Sequence, residues 1–506
     1  MTSARWRRWV FALLGAVIFA SCVPTLPQGP ARAPNTRVPE SFGGAAEADN
    51  SARVDWRAFF ADPNLVTLID TALANNQELN ISVQEMLVAS NEVMARRGEY
   101  LPSLGFAASA GLDRVGRFTS QGQSDERNGV DANLQGFSFG LYASWEVDIW
   151  SRLRNAAGAA TYRYLASQEG RSFMVTRLVA EIASRYYELM ALDRQLEIAR
   201  NNVQLQERAI EMVRLQQQAA RVTMLAVRRF EAQLYGFQSR QYEIAQRIVE
   251  TENQLNLLLG RFPTRIERSS ANLLNLAPAV HAGVPAQLLE NRPDVRRAEL
   301  ELRAAQLDVA AARARFYPTL HLDGSLGYQS FDVRRLLDTP DSILYRLLAG
   351  VAAPLLNRRA ITAEYFSANA RQMQAVLRYE RAILSAYLDV NTGLSLIRNL
   401  SQSYAFKSQQ VERLAESVEI STLLFNSARA TYLEVLTTRH DSLEAQIEQI
   451  EMKQRQLTAA VTRFRLACAR ASSFGDTTLP SRRARVFWYS TWAYCTSAEL
   501  RATSAW

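Results

Sequence analysis

The chain has 506 residues, 48% of them apolar and 21% charged, a balance that excludes a disordered protein. Its formal net charge of +8 sits at the ends: residues 1–21 carry three Arg and no acid, residues 462–506 carry seven Arg and two acids, and the stretch between sums to zero. The basic excess is therefore no nucleic-acid signature. Cys22, Cys468 and Cys495 show no metal-ligand or redox spacing, and His281, His321 and His440 lie far apart, so neither a metal site nor a cofactor is expected.

Residues 1–21 form a signal peptide: a basic Arg5-Trp6-Arg7-Arg8 start, an apolar run from Val10 to Ala20, and Phe19-Ala20-Ser21 before Cys22. Small residues just before a Cys resemble a bacterial lipobox, which makes Cys22 the expected lipidation site. The alternative is an ordinary secretory signal with a chance Cys. Residues 22–53, rich in Pro, Gly, Ala and Asn, read as a flexible tether.

The first repeat is expected over residues 54–263. A short amphipathic helix over 64–75 and a second over 78–100 end at Leu101-Pro102, where proline disfavours helix at the residue before it. The period then changes to two. Leu104, Phe106, Ala108, Ala110 and Leu112 alternate with small or polar residues, as do Phe137, Phe139, Leu141, Ala143, Trp145 and Val147. Strands are expected over about 103–114 and 136–148, joined by a polar loop. The aromatic residues Tyr142, Trp145, Trp150, Tyr328 and Tyr345 suit membrane-interface belts or ordinary packing. Val175, Ile182, Leu189, Leu196, Val203 and Ile210 recur every seven residues along a proline-free stretch from Arg152 to Gln218. Such a helix is about 100 Å long. A return helix from Met224 to Leu259 falls short of it, but stacked end to end with the 78–100 helix it nearly matches that length.

Residues 264–287 read as a linker between repeats, and 288–461 repeats the same order. A helix from Pro293 ends at Tyr317-Pro318, strands follow over about 319–330 and 343–354, and a long helix leads to a return helix reaching about Val461. Hairpin tips are expected at about 219–224 and 427–432. They share an octet: Ala220-Arg221-Val222-Thr223-Met224-Leu225-Ala226-Val227 recurs 208 residues later as Ala428-Arg429-Ala430-Thr431-Tyr432-Leu433-Glu434-Val435.

With this order in place, the chain resembles the TolC-like outer-membrane factors, especially the lipid-anchored OprM/NodT type of efflux lipoprotein. The resemblance is carried by Trp56-Arg57-Ala58-Phe59-Phe60-Ala61-Asp62-Pro63, Leu101-Pro102-Ser103-Leu104, Trp145-Glu146-Val147-Asp148-Ile149-Trp150, Asn291-Arg292-Pro293-Asp294-Val295, Ala314-Arg315-Phe316-Tyr317-Pro318 and the two octets. It implies a mainly α fold with a transmembrane β part: a homotrimer whose 12-stranded barrel continues into a long periplasmic coiled-coil α-barrel. Independently, four strands are too few for a membrane barrel, which starts at about eight. The implied function is the outer-membrane channel of a tripartite efflux system, a passive exit duct for small molecules, not an enzyme. The implied partners are a periplasmic adaptor, an inner-membrane pump and outer-membrane lipid. Outer-membrane type I protein secretion and a non-channel coiled-coil scaffold are the alternatives.

The resemblance also gives the tips a role, adaptor contact and closure of the entrance, carried by Ala220, Arg221, Val222, Thr223, Leu225, Ala428, Arg429, Ala430, Thr431 and Leu433. The plainer reading makes the octets well-formed turns alone. Thr223 and Thr431 are expected to cap the return helices. Arg221 and Arg429 are expected to bond preceding carbonyls or a partner, and Ala220 and Ala428 to resist a left-handed conformation. Arg214, Arg228, Glu231, Glu434, Arg439 and Asp441 near the tips are candidates for interhelical ion pairs or a solvated face. The tail over 462–506 departs from the family, with the heptad seam lost and Arg, Ser and Trp crowded together. It reads as a frameshifted or replaced, disordered end, or as a genuine extension with a Cys468–Cys495 disulfide.

Overall fold

A computed structural model of the chain describes residues 23–27, 29–39, 56–60, 62–269, 273, 292–427 and 429–467. The signal segment, Cys22, most of the linker, Ala428 and the chain from Cys468 onward lie outside the described residues. The elements are α1 (Pro63–Asn75), α2 (Gln77–Glu99), β1 (Ser103–Asp113), α3 (Ser120–Arg127), β2 (Leu134–Val147), α4 (Arg152–Gln218), α5 (Met224–Leu258), α6 (Pro293–Ala314), β3 (Thr319–Ser330), β4 (Ile343–Ala352), α7 (Arg359–Asn426) and α8 (Tyr432–Ala467). The last helix runs through Ala467 instead of stopping near Val461. The loop after β1 contains α3, begun by Thr119, whose side chain accepts from Gly122 N–H. The chain divides into two compact units.

The first unit holds the sheet and the helix segments joined to it. Its four strands lie antiparallel in the order β1-β2-β3-β4. Register turns the period-two pattern into two unlike faces. Phe106, Leu141, Leu326 and Tyr345 form one row across the sheet, and Leu104, Ala143, Gly324 and Leu347 form another. The opposite face carries Ser109 hydrogen-bonded to Ser138 at 2.7 Å, and Ser144 donating to Asp323 at 2.7 Å. Tyr142 belongs to this polar face. Its ring lies across Gly105, where a Cβ would meet Tyr142 Cζ at 2.3 Å, so Tyr142 is no part of an apolar belt.

Helices join the sheet through polar groups, of which Asp148 is buried. Asp148 accepts from Leu153 N–H and Arg154 N–H and so begins α4. Glu146 is held by Arg152 at 2.6 Å. Trp145 donates its indole N–H to Tyr100 O at 3.1 Å, and Trp150 donates to Pro318 O at 2.8 Å while stacking on Tyr317. The described residues of the tether, 23–27 and 29–39, make a turn at Leu26–Gly29 and are fastened to α7. Val23 and Leu26 pack beside Phe316 and Tyr365, Asn369 donates to Gly29 O at 3.1 Å, and Arg32 grips Glu380.

The second unit holds the hairpin ends and the larger apolar core. Leu65, Leu68, Ile69 and Ala72 of α1 pack on Val175, Ile182, Tyr186 and Leu189 of α4, with Leu443, Ile447 and Ile450 of α8. Asp62 accepts from Asn64 N–H to begin α1, and its other oxygen accepts from the Tyr186 hydroxyl at 2.6 Å. Burial, then the bond to Asp62, pushes the Tyr186 hydroxyl pKa well up.

Asn76 joins two helices end to end. Its Oδ1 accepts from Leu79 N–H at 2.9 Å, which begins α2, and its Nδ2 donates to Leu258 O at 2.8 Å, which ends α5. The stacking expected from lengths alone therefore has a chemical joint. Gly260 permits it: its φ of 67° is left-handed, and a Cβ there would lie 2.4 Å from Asn75 O. In the second repeat, buried Arg292 precedes α6 and ties it to α7, donating to Ala386 O at 3.3 Å and pairing with Asp294 and Asp389.

Candidate functional site: the paired hairpin tips

The two octets end their long helices with the same backbone device. Arg221 N–H reaches back to Gln216 O at 2.9 Å, and Ala220 N–H reaches Gln217 O at 2.9 Å. This pair of bonds satisfies the last carbonyls of α4 and requires a left-handed residue at Ala220, whose φ is 53°. Ala220 thus adopts the conformation that its Cβ disfavours, contrary to expectation. The backbone bonds compensate for the strain. In the second tip, Arg429 N–H reaches Leu424 O at 2.8 Å in the same six-residue span. Ala428 lies outside the described residues.

The tips differ where the return helices begin. Thr431 and Glu434 cap each other: Thr431 N–H donates to Glu434 Oε2 at 2.7 Å, and Glu434 N–H to Thr431 Oγ1 at 3.4 Å. Thr223 occupies the matching position but makes no side-chain cap bond, which corrects the expectation for that residue. The reason is in the octet, since Ala226 stands where the second copy has Glu434.

Apolar packing brings the hairpin ends together. Val222, Ala226, Val227 and Phe230 of the first share a cluster with Phe425, Tyr432 and Leu436 of the second. Farther along, Arg240 of α5 pairs with Glu444 of α8 at 2.5 Å. What remains exposed is one kind of surface. Leu225 and Leu433 are 58% and 55% exposed, beside the exposed guanidinium groups of Arg221 and Arg429. Among the described residues, neither arginine side chain bonds a helix-end carbonyl. Their backbone N–H groups perform that task. Ala430 is half-buried.

Of the six charged neighbours, three form a clasp between α4 and α5: Arg214 at 2.7 Å and Arg228 at 2.9 Å both pair with Glu231. The bond from Arg214, then that from Arg228, holds the Glu231 carboxyl below its ordinary value. Glu434 is engaged in its cap and joins no interhelical pair among the described residues. Arg439 is half-buried. One of its nitrogens reaches Leu205 O at 3.5 Å, its Nε lacks a partner among the described residues, and burial lowers its pKa. Lys453, fourteen residues farther along α8 and on the same heptad face, is 6% exposed and meets the Tyr404 ring at 5.2 Å. Sequence reasoning missed Arg439 as a buried group and missed Lys453 altogether, because a charged residue in a helix reads as solvated until its neighbours are known.

Two hairpins fastened at their ends, and a sheet with one apolar and one polar face, define a subunit of a membrane channel. The family of outer membrane efflux proteins matches residues 68–261 and 284–467, and the chain belongs to it. The pyoverdine export outer membrane protein OpmQ of Pseudomonas aeruginosa is 30% identical over 419 residues, 82% of this chain and 87% of the relative. The cation efflux system protein CusC of Escherichia coli is 28% identical over 416 residues, 80% of this chain and 87% of CusC. Among solved structures, a membrane protein of Pseudomonas aeruginosa aligns with a TM-score of 0.78 at 25% identity, covering 86% of this chain and all of that one. The open outer membrane channel MtrE of Neisseria gonorrhoeae aligns with a TM-score of 0.77 at 24% identity, covering 88% and 98%. The protein is an outer-membrane channel component of an efflux system, from a family of channels and not of enzymes.

Proposed function

We propose that three copies close their sheets into one 12-stranded barrel, forming a passive duct for small molecules that an adaptor and an inner-membrane pump load from the periplasmic side. The carrying observation is the two-faced sheet. Its row of Phe106, Leu141, Leu326 and Tyr345 suits lipid, and its Ser, Asp and Tyr face suits a water-filled passage. β1 and β4 are left as edges whose backbone groups need partners, and a membrane tolerates no open edge. Three copies are the number the family resemblance implies. Cys22 carries the lipid anchor on the tether, and the octets are the adaptor contacts.

The purified protein in planar bilayers is expected to conduct as an oligomer. Absence of conductance from correctly assembled trimers would overturn the duct in favour of a scaffold. Arg221→Glu combined with Arg429→Glu leaves assembly and conductance intact and lowers export, because exposed guanidinium groups with no partner among the described residues are removed from the docking surface. Cys22→Ser abolishes incorporation of labelled fatty acid. Relatives export pyoverdine and cations by name. The substrate here is read as a small solute chosen by the pump.

A further inference from the structure

The sheet ends away from its helices in two connections, and the one between β3 and β4 is unusual in composition. Phe331, Val333 and Leu337 are exposed at 65%, 59% and 69%, and between them stand Arg334 and Arg335, both exposed. Neither guanidinium makes a hydrogen bond or ion pair among the described residues. The same loop holds Asp332, Asp338 and Asp341, yet none of the three neutralises an arginine. Asp332 instead accepts from Arg334 N–H at 2.9 Å.

The loop has a defined shape. Ser342 donates its hydroxyl to Arg335 O at 2.6 Å and its N–H to Asp338 O at 2.9 Å, and Gln329 N–H donates to Ser342 O at 2.8 Å. It also has a defined direction. Tyr328 projects from the apolar face, stacks on Phe139, and its hydroxyl meets Thr339 Oγ1 at 3.4 Å. The connection is thereby tied to the apolar side, continuous with Tyr345 and Leu347.

We propose that this loop binds a phosphorylated, multiply acylated glycolipid, the chemistry of the lipid A part of the outer leaflet, with Arg334 and Arg335 on its phosphate groups and Phe331, Val333 and Leu337 against its acyl chains. The inference rests on the reading of the sheet as part of a membrane barrel. An arginine fork matches a phosphate in geometry as well as charge. Apolar side chains flanking two unpaired cations suit an anionic amphiphile better than a soluble anion, for which exposed Phe331 and Leu337 have no use. Continuity with the lipid-facing rows favours this occupant over a soluble protein.

The test uses the whole protein in phosphatidylcholine nanodiscs, with conductance and oligomeric state measured first. Either bis-phosphorylated lipid A or its dephosphorylated form is added, and lipid retained per oligomer is read by native mass spectrometry. The wild type is expected to retain the phosphorylated form preferentially, and Arg334→Gln with Arg335→Gln to lower retention about tenfold or more. Leu337→Ser is expected to lower retention of both forms. Equal retention of the two lipids by a conducting wild type would overturn the proposal and leave the channel reading intact. Wild-type retention by a conducting double variant would do the same. Dissociation of the double variant's oligomer in lipid-free detergent would make the loop a contact between copies and also overturn it. A wild type that assembles but does not conduct removes the barrel reading first, and this one with it.

Discussion

Ala226 decides how the first tip differs from the second, and Ala220 holds the left-handed conformation that ends α4. A left-handed alanine costs about 1–2 kcal/mol, part of which glycine would return to the unfolded chain as entropy. Ala220→Gly is therefore expected to raise thermal stability of the first hairpin by about 0.5–1 kcal/mol, read as the unfolding midpoint. Thr431→Ala removes half of a capping box and is expected to cost about 1 kcal/mol, whereas Thr223→Ala costs little because its hydroxyl caps nothing. The two Thr were indistinguishable by position, and the residue three places later separated them. Lys453 illustrates a group whose role needed the fold. Burial lowers its pKa, so the unfolded chain holds its proton more tightly than the folded one. Its contribution is thus unfavourable below the folded pKa and fades as pH rises toward the ordinary lysine value. Lys453→Met is expected to stabilise the protein at pH 7 and to flatten the rise in stability on the alkaline side, measured by denaturant midpoints across pH. Glu231 behaves oppositely. Its pKa is lowered by its bonds to Arg214 and Arg228, so its contribution is present at neutral pH and lost as pH falls through its folded value, below the ordinary glutamate range.

At the scale of elements, the long helices were readable and their joints were not. The heptad positions Val175, Ile182, Leu189 and Ile210 are all buried, as a seam requires, because repetition every seven residues puts them on one stripe whatever they face. Ile182→Ala removes a fully buried side chain and is expected to cost about 2–5 kcal/mol. The Asn76 joint had no comparable signal. An Asn before a helix advertises a cap, but the partner carbonyl of Leu258 is 182 residues away in sequence. Asn76→Ala is expected to cost about 1–2 kcal/mol, by losing the α2 cap and leaving a part-buried carbonyl without its donor. Asn76→Asp retains the cap acceptor but sets a carboxylate oxygen against Leu258 O in place of the donor, so comparing the two midpoints separates cap from joint. The pattern of alternation likewise gave the strands, while α3 went unseen because Gly122 and several polar residues make a helix of eight look like loop.

For the whole molecule, sequence by itself determined the class of fold. Periods of seven and two follow from helix and strand geometry, and their repetition after 208 residues required a duplicated unit. It also marked the octets, since a tip must break a long helix and the residues that break it are local. Tertiary structure alone decided which polar groups do the work. The Schellman-type ends consume the backbone of Arg221 and leave its side chain exposed, and register sets the Tyr142 ring, which alternation had put on the polar face, across Gly105. The tether lies fastened to α7 because Glu380 happens to face Arg32 and Asn35 N–H. Such outcomes depend on groups far apart along the chain meeting in space. Local propensity and period carry no record of those meetings, whereas burial and hydrogen bonding are settled by them.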